Sequence, residues 1–263
     1  MARNLKIILA YDGQDYAGWQ VQPGLATIQG TLLSAIEHLT GEKTLPQGSG
    51  RTDAGVHALA QVASVAIESP IPTDNLRKAL NDLLPKNIRI VSVEEAPADF
   101  HARKGARAKT YRYRIYRGEV CPPFLARYVY HHPYPLNEDH MARAATLVIG
   151  THDFTSFAAV DPERRDAPES SNDSKLPVQN VERTNIRAVF SSQWSRQGAE
   201  LIYEIRGSGF LHHMVRNLVG TFLMVGKRGP AAVDIRKILA AHDRSAACAT
   251  APAHGLFLVS VEY

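Results

Sequence analysis

Cysteine is nearly absent: the 263 residues hold two, Cys121 and Cys248. Two thiols cannot build a disulfide framework, and neither stands in a Cys-x-x-Cys or Cys/His spacing suited to structural zinc. Long apolar runs are missing as well. The opening "MARNLKIILAYDG" contains a short one, with no cleavage-like segment after it, and no stretch approaches the roughly 18 apolar residues of a membrane span. The expectation is a soluble, cytoplasmic protein. Nor is there a large excess of one charge. Thirty Lys and Arg against 26 Asp and Glu give a formal +4, too little by itself to identify a polyanionic partner.

What is present is a core-forming share of apolar residues, 44%, enough to exclude disorder of the whole and to fill one large domain or two closely joined ones. Charge is concentrated locally. From Phe100 to Gly118, "FHARKGARAKTYRYRIYRG", seven basic residues (Arg103, Lys104, Arg107, Lys109, Arg112, Arg114, Arg117) occur with no acidic one.

The first hundred residues alternate strand and helix patterns. "LKIILAY" reads as a strand, Ile28 to Leu39 as a helix with Ile28, Leu32, Ile36 and Leu39 on one side, Gln61 to Ile67 as a strand, Asp74 to Leu84 as a helix, and Ile88 to Val93 as a strand. A short strand before Gly48 completes a β-α-β-β-α-β order. The remainder repeats it: strands over Lys109–Tyr116, Asn185–Phe190, Glu200–Arg206 and Leu256–Glu262, helices over Glu138–Ile149, Phe210–Val225 and Val233–Ala241. Asn137 is suited to cap the first of these helices and Gly150 to end it. The expected fold is α+β: two ferredoxin-like halves, residues 1–105 and 106–263, sharing a mixed, mainly antiparallel sheet with helices over one face and a central cleft. The polar stretch Val160–Gln179 is the one long loop.

Between glycines 48, 50 and 55 lies "SGRTDAGVHA", in which Asp53 can be turned out of a sheet into a cleft. Arg51 shares its side in an extended segment and could bind a phosphate or the carboxylate. The plainer reading of a Thr-Asp-x-Gly string is an Asx-type turn. Wider context decides between them. "GRTDAGVHA" resembles the catalytic motif of the tRNA pseudouridine synthase A family. "YDGQDYAGWQVQ", "DFHAR", "KTYRYRIY", "HDFTSF", "GFLHHMVRNLVG" and "GLFLVSVEY" resemble further blocks of that family, in family order from the first strand to the last.

The resemblance implies the pseudouridine synthase fold and a cofactor-independent isomerase. Its reaction turns uridine into pseudouridine in the anticodon stem-loop, at tRNA positions 38, 39 and 40. Asp53 matches the family's catalytic aspartate. A carboxylate there can attack the sugar or the base, or take the C2′ proton, and the residues leave all three open. Arg216 matches the arginine that pairs with it, Tyr111 the tyrosine that stacks on the uracil, Leu256 an apolar wall of the base pocket, and Arg51 the residue that fills the space a flipped base leaves. Phe100, His101, Ala102, Arg103 and Lys104, with Arg112 and Arg114 on the following strand, are the expected RNA-binding residues. A base flipped from a stack costs a few kcal/mol, about what one aromatic stack of roughly 1–3 kcal/mol returns. Net affinity then has to come from phosphate contacts.

The resemblance also implies a homodimer with tRNA as partner and no catalytic metal. His131–His132 and His212–His213 tempt a metal reading, but adjacent residues are expected to face different ways and no carboxylate or cysteine completes the spacing. One departure from the family touches RNA docking. After "HDFTSF" the loop is long and acidic, with Ser174–Lys175 nearest the usual Ser/Thr-Arg pair. Two other classes stay open: a non-catalytic RNA binder, and a metal-assisted hydrolase using Asp53, Asp12 and histidines.

Overall fold

The computed structural model describes residues 2–159 and 184–263, so the expected loop 160–179 lies outside the described residues. Ten strands form one sheet: β1 (Arg3–Tyr11), β2 (Gln47–Gly48), β3 (His57–Ile67), β4 (Ile88–Ala96), β5 (Ala108–Tyr116), β6 (Tyr130–His131), β7 (Gly150–Asp153), β8 (Ile186–Gln197), β9 (Glu200–Gly207) and β10 (Leu256–Glu262). Among the described residues five α-helices accompany them: α1 (Ile28–Thr40), α2 (Thr73–Leu83), α3 (Glu138–Thr146), α4 (Met214–Arg228) and α5 (Ile235–Ala241).

The strand order is β4-β1-β3-β10-β5-β9-β8-β7, with β2 on β3 and β6 on β5. The order β4-β1-β3-β2 is that of a ferredoxin-like unit, and β10-β5-β9-β8 repeats it in the second half of the chain. All pairings are antiparallel except β5 with β6 and β10 with β3. The last strand closes the molecule: β10 sits beside β5, and its Phe257 and Leu258 pair with His57 and Ala58 at the start of β3.

Side-chain alternation explains the layering. Leu5, Ile7 and Leu9 on β1, and Tyr111, Tyr113 and Ile115 on β5, are buried in one continuous core that also takes Ile28, Leu32 and Ile36 of α1, Leu76 and Leu80 of α2, and Leu218 and Phe222 of α4. The alternating residues, among them Lys6, Ile8, Arg112 and Arg114, stay partly exposed. One face is therefore covered and the other open, as the period-2 pattern requires. Thr27 caps α1 through its hydroxyl to Gly30 N, and Gly41, at φ 75°, ends it.

Several boundaries differ from expectation. α4 begins at Met214, not Phe210, because His213 stands before it in the left-handed region (φ 59°). α3 stops at Thr146, and Gly150, at φ +111°, opens β7 instead of ending a helix. Strand β3 starts four residues early, at His57, directly after the Asp53 turn. β8 runs on to Gln197 with only Val189 and Ser192 buried, too sparse an apolar alternation to mark a strand of 12 residues.

Candidate active site

The turn joining β2 to β3 is fastened from beneath by polar groups that the core would otherwise reject. Ser49 Oγ donates to Gln61 Oε1 (2.6 Å), Gln61 Nε2 donates to Gly50 O (3.0 Å), and Thr52 Oγ1 meets the Tyr11 hydroxyl at 2.9 Å. Ser49, Thr52, Tyr11 and Gln61 are all buried, and burial pushes the Tyr11 hydroxyl up to about 12, so it is neutral and able to donate. From the other side Trp19 N donates to Thr52 O (3.0 Å). Gly18 is required there: at φ +96° a Cβ would lie 2.6 Å from Thr52 O.

With both ends held, Asp53 projects away from the core. Its Oδ2 accepts from Arg216 Nη1 at 2.9 Å, and no backbone N–H is bound to its carboxylate among the described residues, so the Asx-turn reading fails. Arg216 lies on the first turn of α4, and its Nε donates to Ala251 O (2.8 Å). A second layer fixes that carbonyl. Asn217, fully buried, donates to Phe157 O (2.7 Å) and accepts from Thr250 Oγ1 (2.6 Å) and Arg244 Nη2 (3.1 Å). A Cβ on Gly220 would fall 1.8 Å from Ala249 O, so a glycine lets the 249–251 segment lie on the helix.

His212 and His213 also turn toward Asp53, with Nε2 atoms 3.6 Å from Oδ1 and 3.4 Å from Oδ2. The expectation that neighbouring histidines diverge is corrected: the left-handed backbone at His213 folds the two rings to within 4.0 Å of each other. Together with Asp53 they place three ligand atoms within 4.8 Å of one another, a set that could hold a metal ion, although Arg216 already claims one carboxylate oxygen. Burial lowers the His213 pKa below 6.5. Asp53 opposes this, while the charges of His212, Arg216 and Arg244 add to it. Asp12, by contrast, is held by Arg127 and Tyr128, with His57 Nδ1 3.1 Å away, beside a separate cavity of about 480 Å³, and does not join Asp53.

Tyr111 comes from β5 with 8% of its surface exposed, edge-on to Phe210 at 5.2 Å. Burial raises its hydroxyl well above the ordinary range, and the charge of Asp53 raises it further. Leu256, the first residue of β10, is buried opposite Tyr113. Arg51 is exposed on the same turn as Asp53.

The expected RNA-binding segment divides. Arg103 and Lys104 are exposed. His101 Nδ1 accepts from Arg103 N (3.1 Å), shaping their turn, and Phe100 packs on Tyr263. Ala102 is fully buried, its N–H on Ser64 Oγ and its carbonyl on the Tyr263 hydroxyl, so it anchors the turn from inside. Arg112 and Arg114 pair with Glu204 (2.9 Å) and Glu200 (2.7 Å) across to β9. The acidic partners missing from their own segment come from 90 residues on.

A tRNA pseudouridine synthase family model matches residues 7–103 and 144–263. The chain belongs to that family. It is 54% identical over 261 residues to the tRNA pseudouridine synthase A of Solibacter usitatus, covering 99% of this chain and 100% of that one. The enzymes of that name from Caldicellulosiruptor bescii (42%, 99% and 100% covered) and Moorella thermoacetica (43%, 98% and 99% covered) are similar over the same length. Sequence reasoning named Asp53, Arg216 and Tyr111 as site residues and missed Asn217, Arg244 and Thr250. A polar Asn inside the apolar run "MVRNLVG" was the available signal for the first, and nothing local marks the other two.

Proposed function

We propose that this family member isomerises uridine to pseudouridine in tRNA, at positions 38, 39 and 40 of the anticodon stem-loop, with Asp53 acting at the ribose–base junction. The observation that carries the reading is one carboxylate held by an arginine beside a buried tyrosine, where the two halves of the sheet meet.

In this reaction the N1–C1′ bond breaks, the uracil turns, C5 bonds to C1′, the C5 proton departs and N1 gains one. Water is not a reactant, so no second carboxylate has to activate it. Arg216 orients Asp53 through a charge-assisted bond while Ala251 O fixes the guanidinium. Tyr111 offers an aromatic face for the uracil and a hydroxyl that stays protonated, Leu256 a wall, and Arg51 a side chain for the gap in the stem. Arg103 and Lys104 supply phosphate contacts from an exposed turn, whereas Arg112 and Arg114 must exchange a glutamate for a phosphate. A homodimer is part of the same reading, and light scattering on the purified protein tests it.

The decisive experiment measures tritium release from C5-labelled uridine in tRNA by wild type and Asp53→Asn, with and without chelator. Chelator-insensitive release by wild type, none by the variant and near-equal tRNA binding by both are expected. Loss of release in chelator instead favours the metal-assisted reading that Asp53, His212 and His213 could serve. Unaltered turnover by Asp53→Asn removes the carboxylate from its role.

A further inference from the structure

Four arginines on or beside the strands of the second half are paired with carboxylates. Arg112 has Glu204, Arg114 has Glu200, Arg117 has Glu138 and Arg206 has Glu262. Lys109, on the same strand as the first two, has no carboxylate within ion-pair distance among the described residues, although it lies between β9 and β10 opposite Gly207 and Val261. Its Nζ donates to Ser49 O at 2.6 Å, at the root of the turn that carries Asp53. Gly50 makes room for it, since a Cβ there would lie 2.8 Å from Nζ. That bond uses one of the three N–H donors of the ammonium.

The charged groups that face Lys109 have its own sign: Arg103 from the turn before β5 and Arg187 from β8. Burial first, and these two charges after it, lower the Lys109 pKa from 10.5 to about 8. A largely buried cation with no carboxylate at ion-pair distance among the described residues, and with two like charges near it, costs stability. A neutral side chain could fill the space without that cost. The arrangement makes sense if an anion arrives with the substrate and takes up the unused donors. Lys109 also lies two residues before Tyr111, hence on the same face of the strand, so such an anion would sit close to the nucleotide presented to Asp53.

We propose that Lys109 and Arg103 form a seat for one RNA phosphodiester beside the Asp53 turn, a site that rests on the tRNA-modifying reading above. Binding of that phosphate keeps Lys109 charged, so complex formation takes up a proton near pH 8, and the same contact presses on the Ser49 carbonyl that anchors the turn.

The test measures the dissociation constant of an unmodified tRNA transcript against salt and pH in the full-length protein. The Asp53→Asn background stops chemistry, so the result does not depend on whether turnover occurs. Lys109→Gln should weaken binding and reduce the magnitude of the salt slope by about 1. With Lys109 present, affinity should fall above pH 8 by up to about tenfold per pH unit. Lys109→Arg, always charged, should keep the salt slope and lose that pH dependence. A Lys109→Gln protein with the parent's salt slope and pH profile overturns the proposal. So does one that, with Asp53 restored, turns over slowly while keeping both, because Lys109 then anchors the turn and nothing more. Failure of the functional reading itself would appear separately, as absent tritium release by wild type.

Discussion

At the scale of single residues, the Asp53–Arg216 pair has the geometry of a positioned reactant. Both side chains are mostly buried, and Arg216 is fastened by a second bond to Ala251 O, so the ion pair loses little by holding one geometry. Arg216→Ala should therefore lower kcat on the order of a hundredfold or more with a small change in KM, measured by single-turnover tritium release. Arg216→Lys retains charge but cannot make both bonds, and should recover only part of the loss. His213 poses a different question. A non-glycine residue at φ 59° is held there against a conformational cost, and its ring, 3.4 Å from Asp53, is neutral at pH 7. Protonation below pH 6.5 would set a further cation on a carboxylate already bound by Arg216, with His212 and Arg244 nearby. The rate for wild type should fall on acidification, and His213→Asn, which tolerates the left-handed backbone, should flatten that limb. A variant whose acid limb matches wild type would show that another group sets it.

At the scale of elements, the contact between α4 and the 249–251 segment transmits packing into the site. Gly220→Ala would force a Cβ against Ala249 O, cost about 1–3 kcal/mol, and shift the carbonyl that holds Arg216. Thermal unfolding and kcat should both drop, where a purely structural substitution far from α4 lowers the first alone. This contact also shows what a linear reading can reach. α1 was legible because Thr27, the spacing of Ile28, Leu32 and Ile36, and Gly41 all state the same helix. The start of α4 was not, because the apolar pattern runs on through Phe210 and Leu211 while the backbone turns left-handed at His213, a change of direction that no residue type there marks. The far half of β8, beyond the expected Asn185–Phe190, escaped for the opposite reason: most of its residues are open to solvent, so its pattern carries little apolar signal. Asp53, Tyr111 and Arg216 were identifiable through motif resemblance, yet their meeting depends on pairing β3 with β10 and β10 with β5, which sequence order alone does not dictate.

At the scale of the molecule, the proposed site lies along a seam made by β10 between β3 and β5: Asp53 precedes β3, Tyr111 is on β5, Arg216 on α4 and Leu256 opens β10. Titratable groups gather along it. His57 stacks on Phe257 of β10 and accepts from Gly13 N through Nδ1, leaving Nε2–H to donate to the carbonyl of Arg127 or His254. Burial is the largest cause of a lowered pKa at His57, His254 and His213, as at His132 farther along the chain. For each, the unfolded chain titrates near 6.5 and the folded chain lower. Between those values the unfolded state binds more protons, so stability is full above pH 6.5 and falls as the pH drops through the folded-state values. Asp12, where burial pushes the pKa up but hydrogen bonds and His57 together outweigh it, and Asp153, lowered first by its bond to Thr155, add a loss of the same sign below pH 4. Every tenfold weakening of proton affinity in the folded state corresponds to about 1.4 kcal/mol. The melting temperature should thus fall from pH 7.5 to 5.5, before the carboxylates titrate. In native-state hydrogen exchange, the β3–β10 pairing should lose protection ahead of the β1–β4 pairing, which carries no histidine. Equal loss across the sheet would mean that the seam is no weaker to acid than the rest.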